Sequence, residues 1–394
     1  MDQHDLGDRI RRLRGHLMTQ RELSEAAGVS LSLVRALEQR QRHTASIASL
    51  HKIARALDTD IGVLLGKRTN FPGDDTGVHA IRHALMPVDD LLDEASRDGE
   101  PVDVDQARRA VDFGWGSYWS GSYNRLSALL PVTLAQLRVT VRSTPEDHTT
   151  HELLARGYWL TACTLVHLGH QDAAWLAIRQ ALDAASRGGD PLLDAVLRGS
   201  ASWQLLVQGR YDEAAQVALR SASNVHPAGD VPPAHLSVYG SLLITAATAT
   251  GRDGDLAQAA GLLSEAEATA RRNGVDRTDY ESPFGPAQVI MQTVDVHVVA
   301  ERYEQAIKVA RTMPRDAALP LAARARHLTD TAFAYVHLDD TRRARDALLT
   351  VERMAPDWIR HQSLPKQVAS ELVRRDRDNT TRRLAKRLGV TGGE

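Results

Sequence analysis

The stretch TQRELSEAAGVSLSLVRALE, residues 19–38, decides how the N-terminal part of the chain folds. Thr19, followed three residues later by Glu22, is the pattern of a capping box, which starts a helix. Gly28 ends that helix, because glycine takes the left-handed backbone conformation at little cost. Ser30 then caps a second helix that carries apolar residues on one face. The stretch predicts two short helices around a tight turn, a helix-turn-helix, although an ordinary helical hairpin can share this spacing.

The flanking residues complete a small helical domain. A first helix is predicted from Leu6 to about Leu17, with Leu6, Ile10 and Leu13 facing the core. Behind the motif, Thr44 or Ser46 can cap a further helix, and the segment DTDIGVLLG predicts a short last one. Residues 1–66 are therefore predicted to form a five-helix domain. The apolar positions of the fourth helix are Leu50, Ile53, Ala54 and Leu57.

Residues 6–65 resemble the phage repressor–Cro (XRE) family of helix-turn-helix domains. The resemblance rests on Gln20, Leu23, Ala26, Gly28, Val29, Ser30, Val34, Leu37, Glu38, Leu50, Ile53, Ala54, Leu57 and Leu64. It implies that the second helix of the motif enters the major groove of DNA. The DNA contacts that it implies are Gln20 on a phosphate, Ser30, Leu31, Ser32, Leu33 and Arg35 at the bases, and Arg40, Arg42 and Thr44 beside the backbone.

Composition limits the class of protein. Hydrophobic residues make up 43% of the 394 positions and aromatic residues only 5%, which favours helices over sheets. A single cysteine, Cys163, excludes an intramolecular disulfide framework. The N-terminus has no apolar signal segment, and no apolar run approaches the roughly 20 residues of a membrane span. These features predict an all-α, cytoplasmic protein that does not bind a membrane.

Charge is divided unevenly along the chain. The net charge is −2, but residues 1–66 carry ten Lys or Arg against eight Asp or Glu. This division agrees with DNA binding confined to the N-terminal domain. Residues 67–78, KRTNFPGDDTGV, are rich in turn residues and predict a linker to a second domain, residues 79–394.

The second domain shows a repeating pattern. Segments that begin with Gly or a polar pair and continue into a helix recur at 121–138, 169–185, 209–222, 254–270, 301–313 and 339–354. Ala173, Ala214, Ala259, Ala306 and Ala344 are spaced by 41, 45, 47 and 38 residues. Residues 102–355 resemble tetratricopeptide repeats, which implies an α-solenoid of stacked helix pairs, with an irregular bundle as the alternative. A last pair is predicted at 365–388, capped by Thr380 or Thr381.

Stacked helix pairs form a concave surface that suits an extended peptide. Side chains on the first helices of the pairs are the candidate ligand contacts: Trp115, Tyr118, Trp119, Tyr158, Trp203, Gln204, Tyr239, Gln292 and His297. The same aromatics would also serve as core between repeats.

The joint layout is similar to peptide-sensing quorum regulators and to actinobacterial regulators of antibiotic production. The resemblance implies a homodimeric transcriptional regulator on a palindromic operator, gated by a peptide or small molecule. The alternative is an interaction scaffold whose repeats recruit a partner protein. The sequence lacks phosphate-binding glycine motifs and metal-ligand spacing, so we expect no enzyme activity, cofactor or metal, although an unseen hydrolase triad would leave no sequence pattern.

Overall fold

The computed structural model describes residues 6–15, 18–57, 59, 61–65, 75–87, 100–375 and 378–390. We call residues 6–65 the head and residues 75–390 the body. The helices of the head are α1 (Leu6–Arg14), α2 (Gln20–Ala27), α3 (Leu31–Glu38), α4 (Ile47–Ala56) and α5 (Ile61–Leu64). The five-helix arrangement predicted for the head is confirmed.

Local capping chemistry sets the ends of the head helices. Thr19 and Glu22 form the reciprocal capping box, and Gly28 takes the left-handed conformation with φ 60°. Ser30 caps α3, and Ser46 rather than Thr44 caps α4. The prediction for α1 was too long, because that helix ends at Arg14. Leu13 was also predicted wrongly as core, since its side chain is 39% exposed.

The body is a stack of helix pairs. Its helices are α6 (Asp75–Leu85), α7 (Val104–Trp119), α8 (Tyr123–Ser143), α9 (His148–Leu168), α10 (Gln171–Gly188), α11 (Pro191–Val207), α12 (Tyr211–Asn224), α13 (Pro233–Asp253), α14 (Leu256–Asn273), α15 (Pro286–Val299), α16 (Tyr303–Ala310), α17 (Leu321–His337), α18 (Thr341–Met354), α19 (Pro356–His361), α20 (Ser363–Arg375) and α21 (Asn379–Arg387). Helix α6 begins inside the stretch predicted as linker, and Val78 is buried in the core of the body. The rest of that stretch, apart from residues 75–78, lies outside the described residues.

The repeat prediction is confirmed at the level of fold. The small alanines noted in the sequence are all buried where the second helix of a pair meets its first, with Ala214, Ala259, Ala306 and Ala344 fully covered. The turns from a first to a second helix at residues 121, 169, 209, 254, 301 and 339 each carry one residue with positive φ. Glycine holds that position in the earlier turns, and Glu301 (φ 58°) and Asp339 (φ 59°) hold it in the later ones. The same local geometry therefore recurs although the sequence varies.

Two features of the body differ from the prediction. A short antiparallel hairpin, β1 (Arg277–Asp279) and β2 (Ser282–Phe284), follows α14. The last helix, α21, is capped by Asp378, whose side chain accepts a hydrogen bond from the backbone N–H of Thr380, and not by Thr380 or Thr381. Among the described residues, none of the helices has both the length and the apolar character that a membrane span requires.

Candidate nucleic-acid interface

Helix α3 presents a polar face to solvent. Ser30, Ser32 and Arg35 are exposed, and Arg35 has no hydrogen-bond or ion-pair partner among the described residues. Leu31 and Leu33 are half-buried, and Leu33 packs against the core of the head. The face has the character of a base-reading surface, since Arg and Ser can hydrogen-bond base edges and an apolar side chain can contact a thymine methyl.

A buried carboxylate ties the motif to α1. Glu38 at the end of α3 accepts hydrogen bonds from Arg14 Nε at 2.8 Å and from Gln20 Nε2 at 2.8 Å. Arg14 also donates to the Met18 carbonyl at 2.6 Å. Gln20, predicted to contact a phosphate, is thus already bonded inside the head, and sequence reasoning missed the role of Glu38 as the anchor of three helices.

The loop between α3 and α4 contacts both the head and the body. Arg40 pairs with Asp8 at 2.6 Å. Arg42 pairs with Glu301 in a turn of the body at 2.9 Å. Thr44 is buried and accepts a hydrogen bond from Gln367 of α20. A phosphate contact by Thr44 therefore requires the head to leave this position.

Helix α4 rests on the body through small and aromatic side chains. Ala48 is buried in one apolar cluster with Leu205, Leu206 and Tyr211. The His51 ring meets the Tyr211 ring edge-on, with centroids 5.9 Å apart. A Cβ on Gly209, which has φ 77°, would come within 2.8 Å of His51, so the approach needs glycine on both counts.

Successive turns of the body meet the head. We call the surface of the head that contacts the body the docking face; it includes Arg42, Thr44, Ala48, His51 and Lys52. Lys52 Nζ donates to the Asp253 carbonyl at 3.3 Å. The turns at residues 209, 253 and 301 therefore all touch the head, and each lies between the first and second helix of a pair.

A buried ionic cluster in the body lies next to the docking face. Arg252 of α13 and Arg326 of α17 both donate to Asp295 of α15, at 3.3 and 2.8 Å, and Arg326 also pairs with Asp330 at 2.9 Å. Burial alone would raise the pKa of Asp295, but the two guanidinium groups outweigh it and hold that pKa below its ordinary value. Burial raises the pKa of Asp330 to about 6.

This ionic cluster also acts on the head. Burial, together with the positive charges of Arg252 and Arg55, lowers the pKa of His51 to about 4. His51 is thus held as a neutral imidazole between Tyr211 and the ionic cluster.

A groove of about 470 Å³ separates the head from α20. Basic and acidic side chains share its lining: Gln41, Arg42, His43, Glu301, Tyr303, His337, Glu371, Arg374 and Arg375. The Tyr303 and His337 rings stack at 4.5 Å in its wall. The Glu371 carboxylate is buried and lies 3.3 Å from Arg375.

Most of the predicted ligand contacts belong to the packed interior. Trp115, Tyr118, Tyr158, Gln204 and Tyr239 are each at most 7% exposed. A ligand could not touch them without repacking, because they fill the space between helices.

The remaining predicted contacts are half-buried and scattered. Trp119 stacks on Trp115 with centroids 6.4 Å apart, and Trp203 lies beside His167. Gln292 donates to Asp295 at 3.1 Å. His297 lines a cavity of about 240 Å³ between α14 and α15. The structure therefore does not bring the nine predicted ligand contacts together at one site.

Within the described ranges, no group of three or more His, Cys, Asp or Glu side chains is placed to hold a metal ion. Cys163 is buried on α9, and burial raises the pKa of its thiol to about 12. This cysteine is therefore an inert part of the core.

Comparison with known proteins identifies the head. Residues 10–64 match the helix-turn-helix family. The head is a helix-turn-helix domain of the repressor type, as found in DNA-binding regulators. No curated protein matches the chain significantly.

Two solved structures are distantly similar to this chain. PilF of Pseudomonas aeruginosa is 18% identical, with 67% of this chain and 96% of that chain covered and a TM-score of 0.36. A Rap protein, solved in complex with competence and sporulation factor, is 12% identical, with 92% and 90% covered and a TM-score of 0.46.

Proposed function

We propose that the chain is a sequence-specific transcriptional regulator that binds DNA as a homodimer and whose body receives a peptide or small-molecule ligand. The observation that carries the proposal is the exposed face of α3. Ser32 and Arg35 point to solvent on a helix whose other face is buried in the head. Such a helix can enter the major groove without any change inside the head.

The contacts of the docking face supply a means of control. Arg42 and Thr44, predicted to lie beside the DNA backbone, are bound by Glu301 and Gln367 of the body. DNA and the body therefore compete for the same loop. A ligand in the body controls DNA binding if it favours one position of the head over the other, since a ligand shifts an equilibrium only by its differential affinity.

Dimerisation follows from the size of the reading surface. One α3 helix reads only a few base pairs, and two copies on successive major grooves would contact half-sites about 34 Å apart. A palindromic operator is the DNA sequence that matches a dimer with two-fold symmetry.

The test is selection of bound sequences from random duplex DNA by the full chain, followed by mass measurement of the complex. We expect enrichment of an inverted repeat, bound by two copies of the chain. If no sequence is enriched, the chain is not a sequence-specific regulator, and capture of a protein partner by the body then becomes the better account. If the selected DNA contains a single half-site bound by one copy of the chain, the proposed dimer is contradicted.

A further inference from the structure

The hairpin β1–β2 lies on the side of the body formed by the first helices of the pairs. Its side chains reach Trp119 of α7, Arg156 of α9 and Ser237 of α13, and each of these helices is the first of its pair. The hairpin follows a second helix, α14, whereas the head sits on the turns between first and second helices. The hairpin therefore enters the stack from the end away from the head.

The base of the hairpin is fixed to α13. Phe284 is 1% exposed and covers Gly240, where a Cβ would come within 1.9 Å of the phenyl ring. The Ser237 hydroxyl donates to Asp279 at 2.8 Å. Position 240 of α13 must therefore be glycine for Phe284 to pack there. We call this contact between Phe284 and Gly240 the seat of the hairpin.

The tip of the hairpin places a carboxylate on an arginine. Glu281 pairs with Arg156 of α9 and is 16% exposed. Arg156 also pairs with Asp112 of α7 at 2.8 Å. The Trp119 side chain adjoins the same carboxylate. Arg156 is thus held by Asp112 while it binds a second carboxylate, and charge-assisted pairs of arginine with a carboxylate are among the stronger hydrogen bonds.

The backbone conformation of the hairpin tip and the burial of its carboxylate are both unfavourable. Tyr280 and Glu281 have φ of 48° and 54°, and such a two-residue turn ordinarily uses Asn and Gly. Burial raises the pKa of Glu281, which means that its ionised form is poorly solvated there. The left-handed backbone of the turn opposes the contacts of the tip, whereas burial would cost any carboxylate at this place the same. A carboxylate from a segment without this turn therefore needs less affinity to displace the tip.

We propose that the surface around Arg156 is a binding site for a peptide carboxylate, and that the hairpin occupies it as an internal competitor. The occupant that fits is an acidic peptide segment with an aromatic residue, because the hairpin itself, RTDYESPF, offers that chemistry in this place. The site lies between α7, α9 and α13. This proposal rests on the proposed function of the body, which is to bind a ligand.

The probe is a fluorescent synthetic peptide of the hairpin sequence, RTDYESPF, added to the full chain. We expect weak binding to the unaltered protein and at least tenfold tighter binding to Gly240→Leu, in which Phe284 cannot seat. Glu281→Ala is the second variant, because it removes only the tip carboxylate and leaves the seat intact. In both variants, amides of residues 277–284 should exchange hydrogen faster.

Specificity is tested by two matched changes. A probe with Gln in place of its Glu, and the protein variant Arg156→Gln, should each lose at least tenfold in affinity. Equal binding of both probes, or no binding of the acidic probe to Glu281→Ala, would overturn the site.

DNA selection by the same proteins separates the two proposals. An unaltered chain that selects DNA, together with variants that bind no peptide, rejects the site alone. Peptide binding by a chain that selects no DNA sequence rejects the regulator and leaves the site standing.

Discussion

The guanidinium group of Arg42 lies 2.9 Å from the carboxylate of Glu301, so the loop behind the recognition helix is ion-paired to the body. Both side chains are partly solvated, with 35% and 42% exposed. A pair of this exposure is worth about 0.2–1 kcal/mol. The pair therefore biases the position of the head and does not lock it.

Replacing Glu301 by Gln should strengthen DNA binding. Arg42 then loses its competing carboxylate, and we expect an affinity gain of up to about fivefold in a fluorescence titration at low salt. Arg42→Ala should weaken binding and reduce the slope of log affinity against log salt by about one. Glu304→Gln makes the same charge change on exposed surface nearby and should have little effect. An unchanged salt slope in Arg42→Ala would mean that Arg42 never reaches a phosphate.

We expect Arg35 to recognise one base pair of the operator. Arg35→Ala removes an exposed side chain. We expect a loss of about 1–3 kcal/mol on the selected sequence and relaxed preference at a single position, with a much smaller loss on random DNA. Arg315→Ala, an equal charge change on the body, is the control. Equal losses on selected and random DNA would assign Arg35 to the backbone instead.

Local sequence chemistry predicted the elements of the fold well. Thr19, Gly28 and Ser30 act within a few residues of themselves, so their caps could be predicted without knowing what surrounds them. The alanines of the second helices recur at a spacing that favours stacked pairs, and Ala259 and Ala306 are buried accordingly.

The docking face could not be predicted in the same way. Helix α4 buries Leu50 and Ile53 in the head but also Ala48 and His51 against the body, so it is covered on two sides. An amphipathic pattern identifies one apolar face, and a small residue and a histidine on the other do not indicate burial. The partners of that second face lie some 160 residues further along the chain.

The hairpin could not be predicted from the sequence, for a different reason. Its strands have three residues each, too few for an alternating pattern. Its turn is formed by Tyr280 and Glu281 rather than by Asn and Gly. The contacts that hold this conformation, such as Glu281 with Arg156 of α9, are tertiary and leave no local sequence pattern.

Removing Asp295 should destabilise the body. Asp295→Ala leaves Arg252, whose side chain is 9% exposed, without a counter-charge, and leaves Arg326 with Asp330 alone. Breaking a buried ionic cluster in this way costs about 3–5 kcal/mol. Urea unfolding of the full chain, followed by circular dichroism, should show a clearly lower midpoint. Glu267→Ala breaks an exposed pair with Arg271 and should change the free energy of unfolding by no more than about 0.5 kcal/mol. Equal midpoints for the two variants would contradict the role given to the cluster.

Acidification should release the head through His51. The pKa of this imidazole is about 4 when the head is docked, against an ordinary value of 6.5. A lowered pKa means that the neutral form stabilises docking: the contribution is fully present above pH 6.5 and is lost as the pH falls towards 4. The largest loss is about 3 kcal/mol. His51 faces Tyr211 and the positive charges of Arg252 and Arg55, and a protonated His51 would add a third positive charge that both guanidinium groups repel.

Energy transfer between dyes can follow that release. Cysteines introduced at Glu25 on α2 and Arg315 on the body place one dye on each part, because Cys163 is buried and unreactive. We expect the transfer efficiency to fall between pH 6.5 and 4 in the unaltered protein. His51→Gln keeps a polar side chain but cannot bind a proton in this range, so its efficiency should stay constant over the same interval. His167, His327 and His337 also have lowered pKa values and are unchanged in the variant, and His337 lines the groove between the head and α20. An equal fall in His51→Gln would therefore attribute the release to groups other than His51.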